Sequence, residues 1–194
     1  SAASDVYKRQ CPGVQPGFFI TDFIQENFPL GENESYKYIG SSIYCKDDSL
    51  IYLLGISPGM GDYFLQKLPG NETDSTYADG AKDEGVLIVW DSNLNIGRAV
   101  IITYTSAKLK KVAVNTPDAN RHVQIQTYLD IYAKKDNPLV ISKPTVESNE
   151  EKWITYEQYL ELTSGSKDLN ALSYLKGLPS AVSYTHLTLP TILR

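Results

Sequence analysis

The sequence predicts an α+β, β-rich fold in which helices near both ends flank an antiparallel meander sheet. The first observation is the stretch from residue 85 to residue 114, where three runs rich in Val, Ile and Tyr are separated by turns containing Asn, Gly or Ser. The second is a short helical pattern near the N-terminus and two more near the C-terminus. The third is composition, because 42% hydrophobic and 21% charged residues are typical of a globular chain with a packed core.

The segment before the meander predicts one helix followed by short strands. The expected elements are a loop in the PGVQPG pattern ending at Gly17, a short helix over 21–28 capped by Thr21, a strand over 35–45 with a break at Gly40, and a strand over 62–68. The apolar run at 49–54 fits either a helical turn or a strand, because it is too short to show a period.

The segment after the meander begins with a turn at 116–119. Residues 121–134 then alternate between apolar and polar side chains, which is typical of a long, half-exposed strand. One more strand is expected at 138–142, starting at a proline.

The C-terminal part changes character and predicts two short helices. A capping-box pattern at 148–151 would open a helix over 152–162, and Ser166 would cap a second helix over 167–176. The expected organisation is therefore a β-rich domain at 11–145 followed by a helical C-terminal segment at 146–181.

Charge and hydropathy exclude two kinds of partner. The formal net charge of −5 disfavours binding to nucleic acid. No apolar run approaches the roughly 20 residues that span a bilayer, so no membrane partner is expected either.

Metal and cofactor sites are also not expected. Cys11, Cys45 and His122 are too few and too scattered for a structural zinc site, and the two cysteines could either pair or remain thiols. The polar stretch at 71–85 carries five acidic residues without the spacing of a calcium loop, so it reads as a solvated loop.

The sequence favours a non-enzymatic protein. His122 lies beside glutamines, and neither a G-x-S-x-G elbow nor a phosphate-binding glycine loop is present. A carboxylate pair remains open as an alternative, since a set of acidic residues could meet in three dimensions: Asp47, Asp48, Asp62, Asp91, Asp130 and Glu157.

The best candidates for recognition are polar and aromatic residues of the predicted sheet. If residues 121–134 form a strand, their even-numbered side chains share one exposed face, and Tyr104 lies on the meander. Tyrosine suits such surfaces because it combines an apolar ring with a polar tip. The candidate binding residues are Tyr104, His122, Gln124, Gln126, Tyr128, Asp130 and Tyr132.

Two segments of the chain resemble a known protein family, and this resemblance suggests the kind of protein to which the candidate residues belong. Residues 49–71 and 84–116 resemble the pyocin-knob type domain of phage tail fibres and pyocin tail proteins, with Gly61 and Tyr63 matching its glycine-then-tyrosine strand. Gly85 to Val89, Arg98 to Thr105 and Lys108 to Val114 match three further strands. The last two depart from the family pattern, which has a glutamine in one strand and an aromatic and an arginine in the other.

The resemblance implies a non-enzymatic module of a virion or extracellular attachment protein. Its expected partners are a host surface glycan, neighbouring fibre subunits or two further copies in a homotrimer. The alternatives are a fragment of a secreted, carboxylate-dependent hydrolase and a purely structural β-domain.

Both termini resemble translated sequencing-adapter sequence, in opposite orientations. The matching segments are 1–10, which contains DVYKRQ, and 182–194, which contains VSYTHLTLPT. Neither segment is expected to belong to the fold, and the remaining chain reads as a fragment of a longer protein.

Overall fold

The computed structural model describes residues 12–41, 45–66, 81–112, 116–164 and 169–179, and it confirms the α+β class. The helices in these ranges are α1 (Gln15–Asn27), α2 (Cys45–Leu54), α3 (Pro117–Tyr132), α4 (Tyr156–Thr163) and α5 (Ala171–Gly177). The strands are β1 (Glu34–Gly40), β2 (Tyr63–Leu65), β3 (Lys82–Asp91), β4 (Ile96–Thr105), β5 (Lys108–Leu109), β6 (Val140–Ser142) and β7 (Thr145–Thr155). The adapter-like termini, Cys11, the cap at Ser166 and most of the acidic stretch lie outside the described residues.

The main sheet has the strand order β2-β1-β3-β4-β7. Its pairs are antiparallel except for β1 and β2, which run parallel and are joined by a crossover through α2. The short strands β5 and β6 form a separate two-stranded sheet.

The prediction of a third meander strand at 108–114 is wrong. Among the described residues of that segment, 108–112, only Lys108–Leu109 is a strand, and it pairs with β6 instead of β4. The far edge of β4 is occupied along its length by the longer strand β7. Two adjacent lysines follow Leu109, and β7 supplies a more complete ladder of hydrogen bonds.

The strand predicted over 121–134 is a helix. The Thr116 hydroxyl oxygen accepts a hydrogen bond from the Ala119 amide at 3.2 Å, and a proline stands in the first turn of α3. Val123, Thr127 and Ile131 recur at helical spacing inside the alternating pattern, and the last two are buried. The alternation was therefore compatible with both periods, and the Thr-Pro start was the deciding signal.

The helix predicted to open at 148–151 is also wrong, because the segment called helical (146–181) begins with strand β7. The capping box lies further on, where Thr155 and Gln158 exchange hydrogen bonds at the start of α4. Lys152 and Ile154 are buried while Trp153 is half-exposed, which is the alternation of a strand. The two short C-terminal helices, α4 and α5, are confirmed.

The N-terminal helix is confirmed but starts earlier than predicted. The expected PGVQPG loop forms a single 3-10 turn and the first residues of α1, with proline at a position where its missing N–H is tolerated. Gly17 lies where α1 crosses α2, and a Cβ there would collide with the carbonyl oxygen of Lys46. The run at 49–54, left open by its sequence, belongs to α2.

Both faces of the sheet are covered, and each carries its own core. On one face Leu87 and Val100 pack against α1 and α2. On the other face Ile88 and Ile101 pack against α4 and α5. This arrangement explains why β3 and β4 read as continuous apolar runs, since neither face of these strands meets water.

Candidate functional site

The predicted binding residues of 121–134 do not share one face. Successive even-numbered residues lie about 200° apart around a helix, so α3 separates them into two stripes. The first stripe holds His122, Gln126 and Asp130, and the second holds Gln124, Tyr128 and Tyr132.

The first stripe faces solvent at its start and is engaged within the protein at its end. His122 and Gln126 are exposed. Gln126 Nε2 donates to one Asp130 carboxylate oxygen at 3.0 Å, and Asn137 Nδ2 donates to the other at 2.8 Å. Asp130 therefore fixes the turn after α3.

The second stripe packs α3 on α1. The Tyr132 ring lies 5.6 Å from the Phe19 ring, nearly edge-on, and hydrogen bonding to Asp22 raises the pKa of Tyr132. Tyr128 contacts Phe19 at a ring distance of 6.3 Å. For the predicted binding residues Tyr128 and Tyr132, packing against α1 is therefore at least as important as exposure to solvent.

Tyr104 is buried and cannot serve as a surface platform. It is 3% exposed and lies beside Tyr128, so the structure does bring these two predicted residues together. Burial, and next the neighbouring Tyr128, raise the pKa of Tyr104.

The surface best suited to recognition lies instead on the α4 side of the sheet. We call it the aromatic patch, and it consists of Lys37, Asp62, Trp90, Tyr156 and Tyr159. The Trp90 ring lies 4.6 Å from Tyr159 and 6.1 Å from Tyr156, and the two tyrosine rings stack at 6.4 Å. Tyr156 is 46% exposed, so the patch presents an aromatic ring to solvent.

Local sequence positions these rings. The capping box at Thr155 starts α4, and the spacing of three residues places Tyr156 and Tyr159 on one side of its first turn. Trp90 lies opposite Gly97, where a Cβ would stand only 2.8 Å from the Trp90 ring. The missing side chain of Gly97 therefore gives the indole its place against the sheet.

An ion pair borders the rings. Lys37 Nζ is hydrogen-bonded to the Asp62 carboxylate, and the two side chains are 16% and 10% exposed. Burial, then the Asp62 and Tyr156 side chains, raise the pKa of Tyr159, so its hydroxyl stays protonated. The patch thus combines flat apolar surface with an ammonium group, a carboxylate and a hydroxyl.

A second cluster of charged groups lies inside the protein. We call it the buried polar cluster: Tyr38, Lys46, Asp47, Tyr63 and Glu84. Lys46 Nζ lies 3.0 Å from an Asp47 oxygen and 3.4 Å from a Glu84 oxygen. Burial raises the pKa of Glu84, although the Lys46 charge opposes this effect.

The remaining carboxylates of the hydrolase alternative have separate roles. Asp62 pairs with Lys37, and Asp91 accepts hydrogen bonds from the amides of Asn93 and Leu94 in the turn after β3. Glu157 lies in the first turn of α4, and Asp48 is exposed on α2. Asp47 and Glu84 both pair with Lys46, which lies between them, and the Asp47 side chain is 5% exposed.

Two tyrosines on one strand allow a direct test of the polar groups in this core. The Tyr38 hydroxyl is buried and has no hydrogen-bond partner among the described residues, whereas the Tyr36 hydroxyl donates to the Phe28 carbonyl at 2.8 Å. We expect Tyr38→Phe to leave the free energy of unfolding unchanged or raise it by up to about 2 kcal/mol. Tyr36→Phe should lower it by about 1 to 2 kcal/mol, because it leaves a buried carbonyl unpaired.

Urea denaturation of both variants checks this pair. A loss of stability in Tyr38→Phe equal to that in Tyr36→Phe would contradict the expectation.

Comparison with known protein families does not assign the chain to a family. Neither the protein-family models nor the curated proteins searched give a match to the chain. Within the described ranges, no group of three or more His, Cys, Asp or Glu side chains is arranged to hold a metal ion. None of the helices described above is long and apolar enough to cross a membrane.

Proposed function

We propose that this chain is a non-enzymatic binding module of a phage tail fibre or a similar surface-attachment protein, and that it binds a host glycan through the aromatic patch. The observation that supports this most is the exposed Tyr156 ring, which is backed by Tyr159 and Trp90 and bordered by the Lys37–Asp62 ion pair.

The chemistry of the patch matches that of a sugar ring. Aromatic rings stack on the apolar C–H face of a pyranose, while a carboxylate and an ammonium group bind its hydroxyls. The rings are held by their neighbours and by the start of α4, so little side-chain freedom is lost on binding.

A single patch of this size gives weak affinity, and repetition would compensate for it. One exposed ring with a few polar groups suits a millimolar dissociation constant, roughly 4 kcal/mol of binding free energy. Copies linked in a homotrimer or along a fibre would raise the avidity by about 10² or more. The proposal therefore includes neighbouring fibre subunits as partners, in a virion or extracellular setting.

The resemblance to pyocin-knob type domains also motivates the proposal of a fibre module, but it does not extend to every strand. The described residues 108–112 do not form the third strand that the resemblance implies, because Lys108–Leu109 pairs with β6. The binding proposal rests on the aromatic patch, of which only Asp62 and Trp90 lie within the resembling segments.

The patch is tested by removing its exposed ring. We expect Tyr156→Ala to reduce glycan binding at least about tenfold, because the stacking surface is lost. Tyr52→Ala is the matched control, since Tyr52 is 85% exposed on α2 and belongs to no part of the patch. Binding is measured with multivalent protein on a glycan array and then by calorimetry with the sugar found.

Two results would contradict the proposal. One is a wild-type protein that binds no glycan on a broad array; the other is equal binding by Tyr156→Ala and Tyr52→Ala. Release of a cleaved sugar would instead favour the hydrolase alternative.

A further inference from the structure

We infer that the cavity between α3 and the β5–β6 sheet binds a small organic anion that carries a carboxylate or a phosphate. This site is separate from the aromatic patch and does not depend on glycan binding there. The cavity has a volume of about 330 Å³ and is bounded by α3 on one side and by the segment following β5 on the other.

The cavity has the size and the lining of a small-molecule site. Ligand pockets usually range from about 300 to 1,000 Å³ and combine apolar walls with a few polar groups. Here Val112, Val123 and Leu139 supply apolar surface. A ligand of one sugar ring or similar size would fit such a space.

The charge of the lining is positive. Lys110 and Lys111 both contribute to it, and no Asp or Glu is among the described residues that line it. Neither lysine forms an ion pair with a described carboxylate, in a chain whose formal net charge is −5. The Lys110 amide donates to the Leu139 carbonyl at 2.7 Å, which fixes this part of the chain against β6. Two cations that pair with no described carboxylate therefore border the cavity, on a backbone segment held by this hydrogen bond.

The opposite wall adds neutral hydrogen-bonding groups. Asn120 and Gln124 lie four residues apart on α3, so both line the cavity from the same side of the helix. Their side-chain amides can donate to carboxylate or phosphate oxygens. Asn120 is in the first turns of α3, where the helix dipole also favours negative charge.

A neighbouring cavity provides a contrast. It has a volume of about 240 Å³ and is lined by Lys135 and Lys143 together with Asp136. The carboxylate lowers the net charge of that lining, so we do not expect it to hold an anion. Its two lysines supply a control that removes the same number of charges.

The test uses the full chain and calorimetry with glucuronate, glucose 6-phosphate and neutral glucose. We expect at least one of the two anions to bind, and to bind more tightly than glucose. The double variant Lys110→Gln/Lys111→Gln should weaken anion binding about tenfold or more, because it removes charge-assisted hydrogen bonds. The control Lys135→Gln/Lys143→Gln should change it less than about twofold, and added salt should weaken binding to the wild type.

Each outcome decides the inference. Binding of glucuronate alone identifies a carboxylate site, and binding of glucose 6-phosphate alone identifies a phosphate site. The inference is overturned if neither anion binds, if glucose binds as well as they do, or if the two double variants behave alike. Circular dichroism of both variants confirms that they are folded.

Discussion

Replacing Gly85 with alanine is expected to lower the free energy of unfolding by about 3 kcal/mol or more. Gly85 lies in β3 opposite Gly40 of β1, where the two strands approach closely. An added Cβ would collide with the Ile39 carbonyl oxygen and would stand 2.8 Å from the Tyr38 ring. Because the first of these is backbone, the strands themselves would have to move, and overpacking of this kind is strongly destabilising.

Gly177 is the matched control for that substitution. A Cβ at Gly177 meets nothing within 4 Å, so Gly177→Ala should change the free energy of unfolding by less than about 0.5 kcal/mol. Both variants are compared by urea denaturation followed through circular dichroism. Equal midpoints for the two would show that β1 and β3 can separate at little cost, contrary to the expectation.

Replacing Lys46 with methionine is expected to lower the free energy of unfolding by about 3 to 5 kcal/mol near neutral pH. Lys46 is 2% exposed and lies between the carboxylates of Asp47 and Glu84. Methionine fills a similar volume but leaves two buried negative charges facing one another. The cost comes from removing the cation that both carboxylates share.

The loss should depend on pH in a defined direction. The folded-state pKa of Glu84 is raised, so its contribution to stability is fully present below its unfolded pKa of about 4.3 and is lost as the pH rises through the folded value. Removing Lys46 takes away the attraction that favours the ionised form, so this pKa should rise further. The difference between Lys46→Met and wild type should therefore be largest near pH 7 and shrink on acidification.

Denaturant titrations at several pH values measure that difference. The double variant Lys46→Met/Glu84→Gln should recover part of the lost stability at pH 7, because one of the two charges is gone. A difference that stays constant between pH 7 and pH 4.5, or a double variant no more stable than Lys46→Met, would refute the explanation.

The parts of the fold that the sequence predicted are those with local signals. Strands β3 and β4 are long runs of β-branched residues on either side of an Asn- and Gly-containing turn, and they form the expected hairpin. The helices α1, α4 and α5 and the strand β1 were also found, although their ends moved by several residues. Such elements depend little on distant partners.

The parts that failed depend on tertiary contacts or on competing patterns. In α3, Val123, Thr127 and Ile131 satisfy the helical period and the alternating one at once, so the period alone could not decide. In β7, the Ser-Asn-Glu-Glu sequence matched a helix start, but the open edge of β4 made a strand more favourable. No residue close to β7 in the sequence indicates that the edge of β4 is available for pairing.

The aromatic patch could not be predicted from the sequence, because it too depends on tertiary contacts. The aromatic patch consists of residues from β1, from the position before β2, from β3 and from α4: Lys37, Asp62, Trp90, Tyr156 and Tyr159. No single segment of the sequence contains more than two of these residues. Tyr156 and Tyr159 are three residues apart, which is a helical spacing, whereas their proximity to Trp90 and to the ion pair follows from the strand order β1-β3-β4-β7.

Gly97 in the central hairpin also has a consequence for how β3 and β4 align. Both strands are apolar on both faces, so sliding one strand by a residue would exchange one buried aliphatic side chain for another. Hydrophobic burial alone therefore specifies the register weakly. Trp90 is accommodated opposite Gly97, because a Cβ at that position would stand 2.8 Å from its ring. The absence of a side chain at Gly97 therefore selects one register of β3 and β4 among several of similar burial.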